Sequence, residues 1–252
     1  MSRRQKQHIL VYSSTGLVLA LLIGIMSQRH QDRKIDGLNI DVKEQEGVYF
    51  TDDLEVTALM IEDDPSEIFG APMRELNPKE LEHRVETNPF VKEAQVFRDL
   101  KGQLKVEVEQ SKPLARVFTN GKSDLYIDTD GRILPVNAKY TARVPLLETD
   151  FEFGWNENLQ ESAYGTKILD LLSFIDKDDF WRAQIAHLLI KKDGEIVLLP
   201  QVTKQMIEFG KPENFQEKFS KLMTFYKEIL PKKGWNHYER VNLKFKDQII
   251  CE

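Results

Sequence analysis

Residues Ile9 to Met26 are 18 consecutive positions without a charge, ILVYSSTGLVLALLIGIM. A helix rises about 1.5 Å per residue, so this run is about 27 Å long, close to the hydrocarbon thickness of a bilayer. Ten of the 18 are Ile, Leu or Val. Together they favour insertion by about 3 to 6 kcal/mol. Nothing else in the 252 residues approaches this length, so the chain is expected to cross a membrane once. A cleaved signal peptide would share the basic start at Arg3, Arg4 and Lys6, but its apolar core is usually about 7–15 residues long and ends at an A-x-A-like site. The run here is longer and no such site follows, which favours a retained anchor. No Cys follows it either, which excludes a lipid-modified cysteine.

Charge gives the orientation only narrowly. Arg3, Arg4 and Lys6 precede the run; Arg29, Arg33 and Lys34 follow it. The lack of any acid before the run tips the balance toward an N-terminus in the cytosol. The expected layout is a cytoplasmic tail over 1–8, a transmembrane helix over 9–26 and a stalk over 27–36. Beyond the run lie 32 of the 35 Lys and Arg and all 41 acids. Such an acidic body is a poor nucleic-acid binder, because phosphate binding needs a positive surface. The single Cys251 excludes an intramolecular disulfide and a multi-cysteine zinc site.

The next segment reads as a two-layer αβ module. Leu38, Ile40 and Val42 alternate with Asn39, Asp41 and Lys43, the pattern of a half-buried strand. Thr51 and Asp52 can cap a helix through Leu54, Leu59 and Met60. Asn77-Pro78-Lys79-Glu80 opens a second helix, which buries Leu81 and Val85 and stops before Pro89. Val91 to Arg98 and Gln103 to Gln110 predict a hairpin around Leu100-Lys101-Gly102. The order is strand, helix, helix, strand, strand.

After Ser111-Lys112-Pro113 the signals are those of a mostly antiparallel β domain with two helices. Short strands are expected at Leu114 to Phe118, Leu125 to Ile127, Ile185 to Ile190 and Glu195 to Leu199. The helices cover about 162–175 and 214–230. A last strand, Tyr238 to Lys246, precedes a turn at Asp247-Gln248. The fold class is therefore α+β.

Residue types that carry chemistry are sparse. His8, His30, His83, His187 and His237 are scattered, none with a second ligand at metal spacing. No nucleophile elbow, phosphate loop or dinucleotide fingerprint is present. Asp128-Thr129-Asp130-Gly131 fails the EF-hand spacing and reads as a tight turn. Asp63-Asp64 and Asp178-Asp179 read as loop or helix-start acids. No catalytic residue, cofactor, metal, nucleic acid or small-molecule substrate is expected.

Against this background the run Asn88-Pro89-Phe90-Val91-Lys92-Glu93-Ala94-Gln95-Val96 resembles the N-P-[FW]-V-x-x-A-x-V stretch of the FtsQ/DivIB cell-division family. Glu109, Pro113, Ala115 and Arg116 are similar to its E-x-x-x-P-x-A-R junction. Leu125-Tyr126-Ile127-Asp128-Thr129-Asp130-Gly131-Arg132 is similar to its Y-I-D-x-x-G turn. Glu208-Phe209-Gly210 and Val241-Asn242-Leu243-Lys244-Phe245 are similar to later strands. The resemblance implies a POTRA domain over 37–111 and an FtsQ-type β domain over 112–252, outside the inner (cytoplasmic) membrane and at the division septum. It implies a non-catalytic scaffold that binds FtsB-like and FtsL-like bitopic coiled-coil proteins and, through them, influences septal peptidoglycan synthesis by FtsW and its transpeptidase.

A partner segment can add as a further strand to an unpaired sheet edge. The expected edge is Val241, Asn242, Leu243, Lys244, Phe245 and Lys246, with Lys244 and Lys246 facing an acidic partner. Where the family often has L-R-Y, this chain has Leu243-Lys244-Phe245. Lys offers no bidentate fork and Phe no hydroxyl, so only the main-chain pairing carries over. Two other readings compete. A POTRA protein of translocation or outer-membrane assembly would bring a β-barrel or tandem copies, and an anchored cell-wall hydrolase would bring a catalytic constellation.

Overall fold

The computed structural model describes residues 16–21, 34–43, 45, 47–61, 64–99, 102–119, 124–149 and 158–252. Of the expected anchor, Gly16–Leu21 are helical and exposed; its other residues, with the tail and most of the stalk, lie outside the described residues. Among the described residues no helix is long and apolar enough to cross a membrane. The rest divides into two compact units, one of residues up to 44 and 51–110, the other of 45–50 and 111–252.

The first unit has β1 (Leu38–Lys43), α1 (Asp53–Ile61), α2 (Pro78–Glu86), β2 (Val91–Arg98) and β3 (Leu104–Gln110). This is the expected order. The sheet order is β1-β3-β2, with β1 parallel and β2 antiparallel to β3. Asp52 starts α1 by accepting the Glu55 N–H at 2.9 Å. Val56 and Met60 of α1 are buried, whereas Leu54 points to solvent. Asn77 precedes α2 in an extended conformation but makes no side-chain cap bond, so Pro78 and Glu80 mark that start. Leu81 and Val85 then meet Val96, Leu104, Val106 and Val108 in the core. Gly102, at φ +97°, closes the β2–β3 turn, whose residues 100–101 lie outside the described residues.

The second unit is a nine-stranded sheet in the order β12-β11-β10-β9-β8-β7-β4-β5-β6. Its strands are β4 (Pro113–Thr119), β5 (Leu125–Asp128), β6 (Ile133–Pro135), β7 (Leu146–Thr149), β8 (Ile185–Ile190), β9 (Ile196–Pro200), β10 (Met206–Gly210), β11 (Arg240–Asn242) and β12 (Ile250–Cys251). The β4–β7, β7–β8 and β10–β11 pairs are parallel and the other five antiparallel. One sheet face is buried under α3 (Ala163–Lys177), α4 (Asp179–Gln184) and α5 (Phe215–Thr224). Phe219 is the hub of that layer, with ring centroids 4.7 Å from Trp181, 5.0 Å from Phe174 and 5.3 Å from Phe209.

The predicted helix over 214–230 is not regular throughout. After α5 it widens into a π turn at Phe225–Ile229 and ends as α6, Leu230–Lys233. Pro231 has no N–H and crowds the carbonyl four residues back, and the wide turn just before it accommodates that defect. The helix over 162–175 runs on to Lys177, and Asp178 restarts the chain as α4 by accepting the Phe180 and Trp181 N–H groups. β6, β7 and β12 are additional to the expected strands.

Residues 45–50, inside the predicted 37–111 domain, are built into the second unit. The Phe50 ring lies 5.7 Å from that of Tyr126 and 5.2 Å from that of Tyr140, and its carbonyl accepts from Asn137. The tight turn expected at 128–131 is present, with Gly131 at φ +76°. Asp128, fully buried, accepts from the N–H groups of Asp130 and Arg132 and from the Arg132 guanidinium. Removing the carboxylate takes away the acceptor of all three bonds. Asp128→Ala should therefore cost about 3 kcal/mol, seen as a lowered midpoint of chemical denaturation.

Candidate functional site

The six residues expected to form an open edge do not all lie in one strand. β11 stops at Asn242, and both of its sides are paired. Ile207 lies opposite Val241 on the β10 side, and Cys251 opposite Val241 on the β12 side. Val241 and Asn242 are therefore inside the sheet, and the edge strand is β12. Main-chain bonds between Arg240 and Glu252 in both directions, each 3.0 Å, anchor this last pairing. In an antiparallel ladder the next pair, Val241 and Cys251, is not hydrogen-bonded. The Cys251 N–H and C=O are thus directed away from β11, along the open side. Ile249-Ile250 after the Lys246-Asp247-Gln248 turn was the available sign of this strand; at two residues it is too short to show alternation.

Leu243 to Lys246 are loop rather than strand. Leu243 is fully buried, and its N–H donates to the Glu208 carbonyl. The Lys221 ammonium on α5 donates to the carbonyls of Leu243 at 3.0 Å and Phe245 at 2.6 Å. This lysine bends the chain away from β10 and towards Asp247, which takes a left-handed φ of +54° before the return as β12. Phe245 is 50% exposed and Lys246 is exposed.

Lys244 is not the free basic head that was expected. Its ammonium lies 3.2 Å from Glu195 and 3.6 Å from Glu208. Glu208 also accepts from Asn242 at 3.0 Å and from the Arg240 guanidinium. The network ties the turn before β9 to β10, β11 and the loop. The Arg240 hydrogen bond holds the Glu208 carboxyl below its ordinary value, and the Glu195 hydrogen bond raises Lys244. Gly210 makes room for the lysine: a Cβ there would stand 2.8 Å from Lys244 Cγ, on a backbone with φ +75°.

Elsewhere among the described residues the scattered titratable groups form no metal cluster. His187 Nε2 stands 2.9 Å from a Glu148 carboxylate oxygen on the sheet face away from the helices. His8 and His30 lie outside the described residues. Among the described residues no three His, Cys, Asp or Glu side chains are grouped as a metal site.

Comparison with known proteins matches residues 112–252 to the family model "FtsQ/DivIB, C-terminal related", and residues 33–109 to "POTRA-like domain". The chain belongs to the FtsQ/DivIB family. A cell division protein FtsQ of Rhodothermus marinus is 24% identical over 193 residues, covering 72% of this chain and 67% of that protein. The FtsQ-type unit thus carries β12, and the POTRA-like unit carries β1 to β3.

The Glu208 and Lys244 shifts fix the pH window of the clamp. A lowered carboxyl stabilises the fold above the unfolded value near 4.3, and that contribution is lost as pH falls through the folded value. A raised ammonium stabilises below about 10.4, and the contribution is lost as pH rises through the folded value. Melting scans should therefore separate the native chain from Glu208→Gln at about pH 5 to 9 and converge in acid. Gly210→Ala should cost about 1–2 kcal/mol by the same measurement, because it combines backbone strain with displacement of Lys244.

Proposed function

We propose that this FtsQ/DivIB protein is a non-catalytic scaffold of the division machinery, which recruits membrane partners by strand addition at β12. The observation that carries the reading is the outward direction of the Cys251 main-chain groups beside Ile250, 38% exposed, at one end of the nine-stranded sheet. A strand laid there gains main-chain hydrogen bonds, and Phe245 and Ile250 are exposed apolar side chains of the same region. The edge is short, so side chains rather than a long ladder carry most of the affinity. The expected partners are FtsB-like and FtsL-like bitopic proteins, with FtsW and its transpeptidase reached indirectly.

The reading places the anchor at residues 9–26 in the inner membrane, the N-terminus in the cytosol and both folded units outside. Family membership supports a division-site membrane protein. A C-terminal fusion to a reporter active only outside the cytosol should be active and concentrated at mid-cell; activity of a cytosol-only reporter would contradict this topology.

Cys251 is a built-in probe, because the chain has one cysteine. Coexpression of the full chain with an FtsB-like protein carrying single cysteines along its extracytoplasmic segment should give disulfide adducts at alternate partner positions. Phe245→Asp, at a half-exposed site, should weaken co-purification by about 2 kcal/mol, roughly thirtyfold. Unchanged recovery of the partner with Phe245→Asp, together with no alternating adducts, would count against β12 as the docking edge.

A further inference from the structure

The POTRA-like unit treats its two sheet edges differently. On β2 the outward N–H groups of Ala94 and Val96 are occupied by the carboxylates of α2, Glu86 at 3.2 Å and Glu82 at 2.9 Å. A strand approaching β2 would have to displace two acids from the donors it needs. The same helix covers the apolar row of that edge, leaving Ala94 3% and Val96 5% exposed. This edge is guarded.

Among the described residues β1 has no such guard. The Leu104 N–H donates to the Gly37 carbonyl at 2.9 Å, which sets the alternation of the parallel ladder. The main-chain groups of Asn39 and Asp41 then face β3, and those of Leu38, Ile40 and Val42 face outward. Among the described residues no hydrogen bond to these outward groups is present; the pairing of Ile35 with Ala71 and Gly70 ends before β1 begins. The side chains agree. Leu104, Val106 and Val108 of β3 are fully buried, whereas Leu38, Ile40 and Val42 beside them are only half-buried. Among the described residues α1 reaches β1, yet the apolar layer is less completely covered there than at β3.

The charge on the opposite face gives the polarity of what would fit. Lys43 turns across the sheet to Glu107 at 3.6 Å, and Lys105 holds the same carboxylate at 2.7 Å. Asp41 is exposed and, among the described residues, feels the Lys105 charge without closing an ion pair to it, so it remains a negative charge presented along the edge. The position narrows the source. Leu38 lies 12 positions beyond Met26, the last of the apolar run, a span of at most about 40 Å.

We propose that β1 is a second docking edge, which takes an extended, membrane-proximal segment of another membrane-anchored protein. That segment places alternate apolar residues over Leu38, Ile40 and Val42 and a Lys or Arg opposite Asp41. The edge follows from the hydrogen bonding alone; the choice of a membrane-anchored partner rests on the anchor put forward above.

Two measurements on the full-length chain test this. In lipid nanodiscs without partners, the amides of Leu38, Ile40 and Val42 should exchange hydrogen at least about tenfold faster than those of Ala94 and Val96. Equal protection would show β1 to be sealed already and would overturn the proposal. In cells, a photo-crosslinking amino acid at Asn39 should give an adduct that mass spectrometry maps to a single-pass protein, within about 15 residues of its apolar span. One at Gln95, on the guarded strand, should not. Asp41→Lys, an exposed change that leaves the fold intact, should reduce the Asn39 adduct at least about fivefold, and Ile40→Pro, which removes an outward donor, should abolish it. Adducts to a second copy of this chain, to lipid or to soluble proteins, or an adduct indifferent to Asp41→Lys, would overturn the proposal. Failure of the anchor reading is distinguishable, because the chain would then leave the membrane fraction while the exchange contrast persisted.

Discussion

The proposed recruitment by the FtsQ-type unit depends on where its main-chain hydrogen bonding stops. A strand paired on both sides has nothing left to offer another chain. β11 is such a strand, with β10 on one side and β12 on the other. The unsatisfied groups are carried one strand outward, to Cys251, and the side chains available to a partner shift with them from Val241 and Asn242 towards Phe245 and Ile250.

That outward shift is made by specific residues. Lys221 takes two carbonyls that a straight strand would have pointed into the ladder, and Asp247 accepts a left-handed backbone that turns the chain back. Glu208 sits beneath, balanced against Arg240 and Lys244, while Gly210 leaves the space that Lys244 fills. The edge is thus held by partly exposed ion pairs, each weak in water, acting together with main-chain bonds whose geometry is exact. At the other end of the sheet Pro135 lies in β6, and a proline cannot donate to a ladder.

Strong periodicity was legible in the sequence and short pairing was not. The alternation at 38–43 and 104–110 and the apolar stripe of 81 and 85 gave the POTRA-like unit its element order, because each pattern spans several residues. The turn at 128–131 was legible because Gly and Asp have few other uses in that spacing. β12 has two residues, and β6 and β7 have three and four, too few to alternate. Lys244 looked free because its partners, Glu195 and Glu208, lie 49 and 36 positions away in sequence. The place of residues 45–50 in the second unit likewise depends on the distant rings of Tyr126 and Tyr140. Contacts between remote residues decided the candidate site, and local patterns decided the scaffold.

The most direct test of the account is the exchange rate of the Cys251 amide in the full-length chain, measured alone and saturated with an FtsB-like partner. An outward-facing donor captured by an added strand should slow at least about a hundredfold on binding, while the Asn242 amide, inside the sheet, changes little. A bound partner that leaves Cys251 exchanging at its free rate would contradict strand addition at this edge.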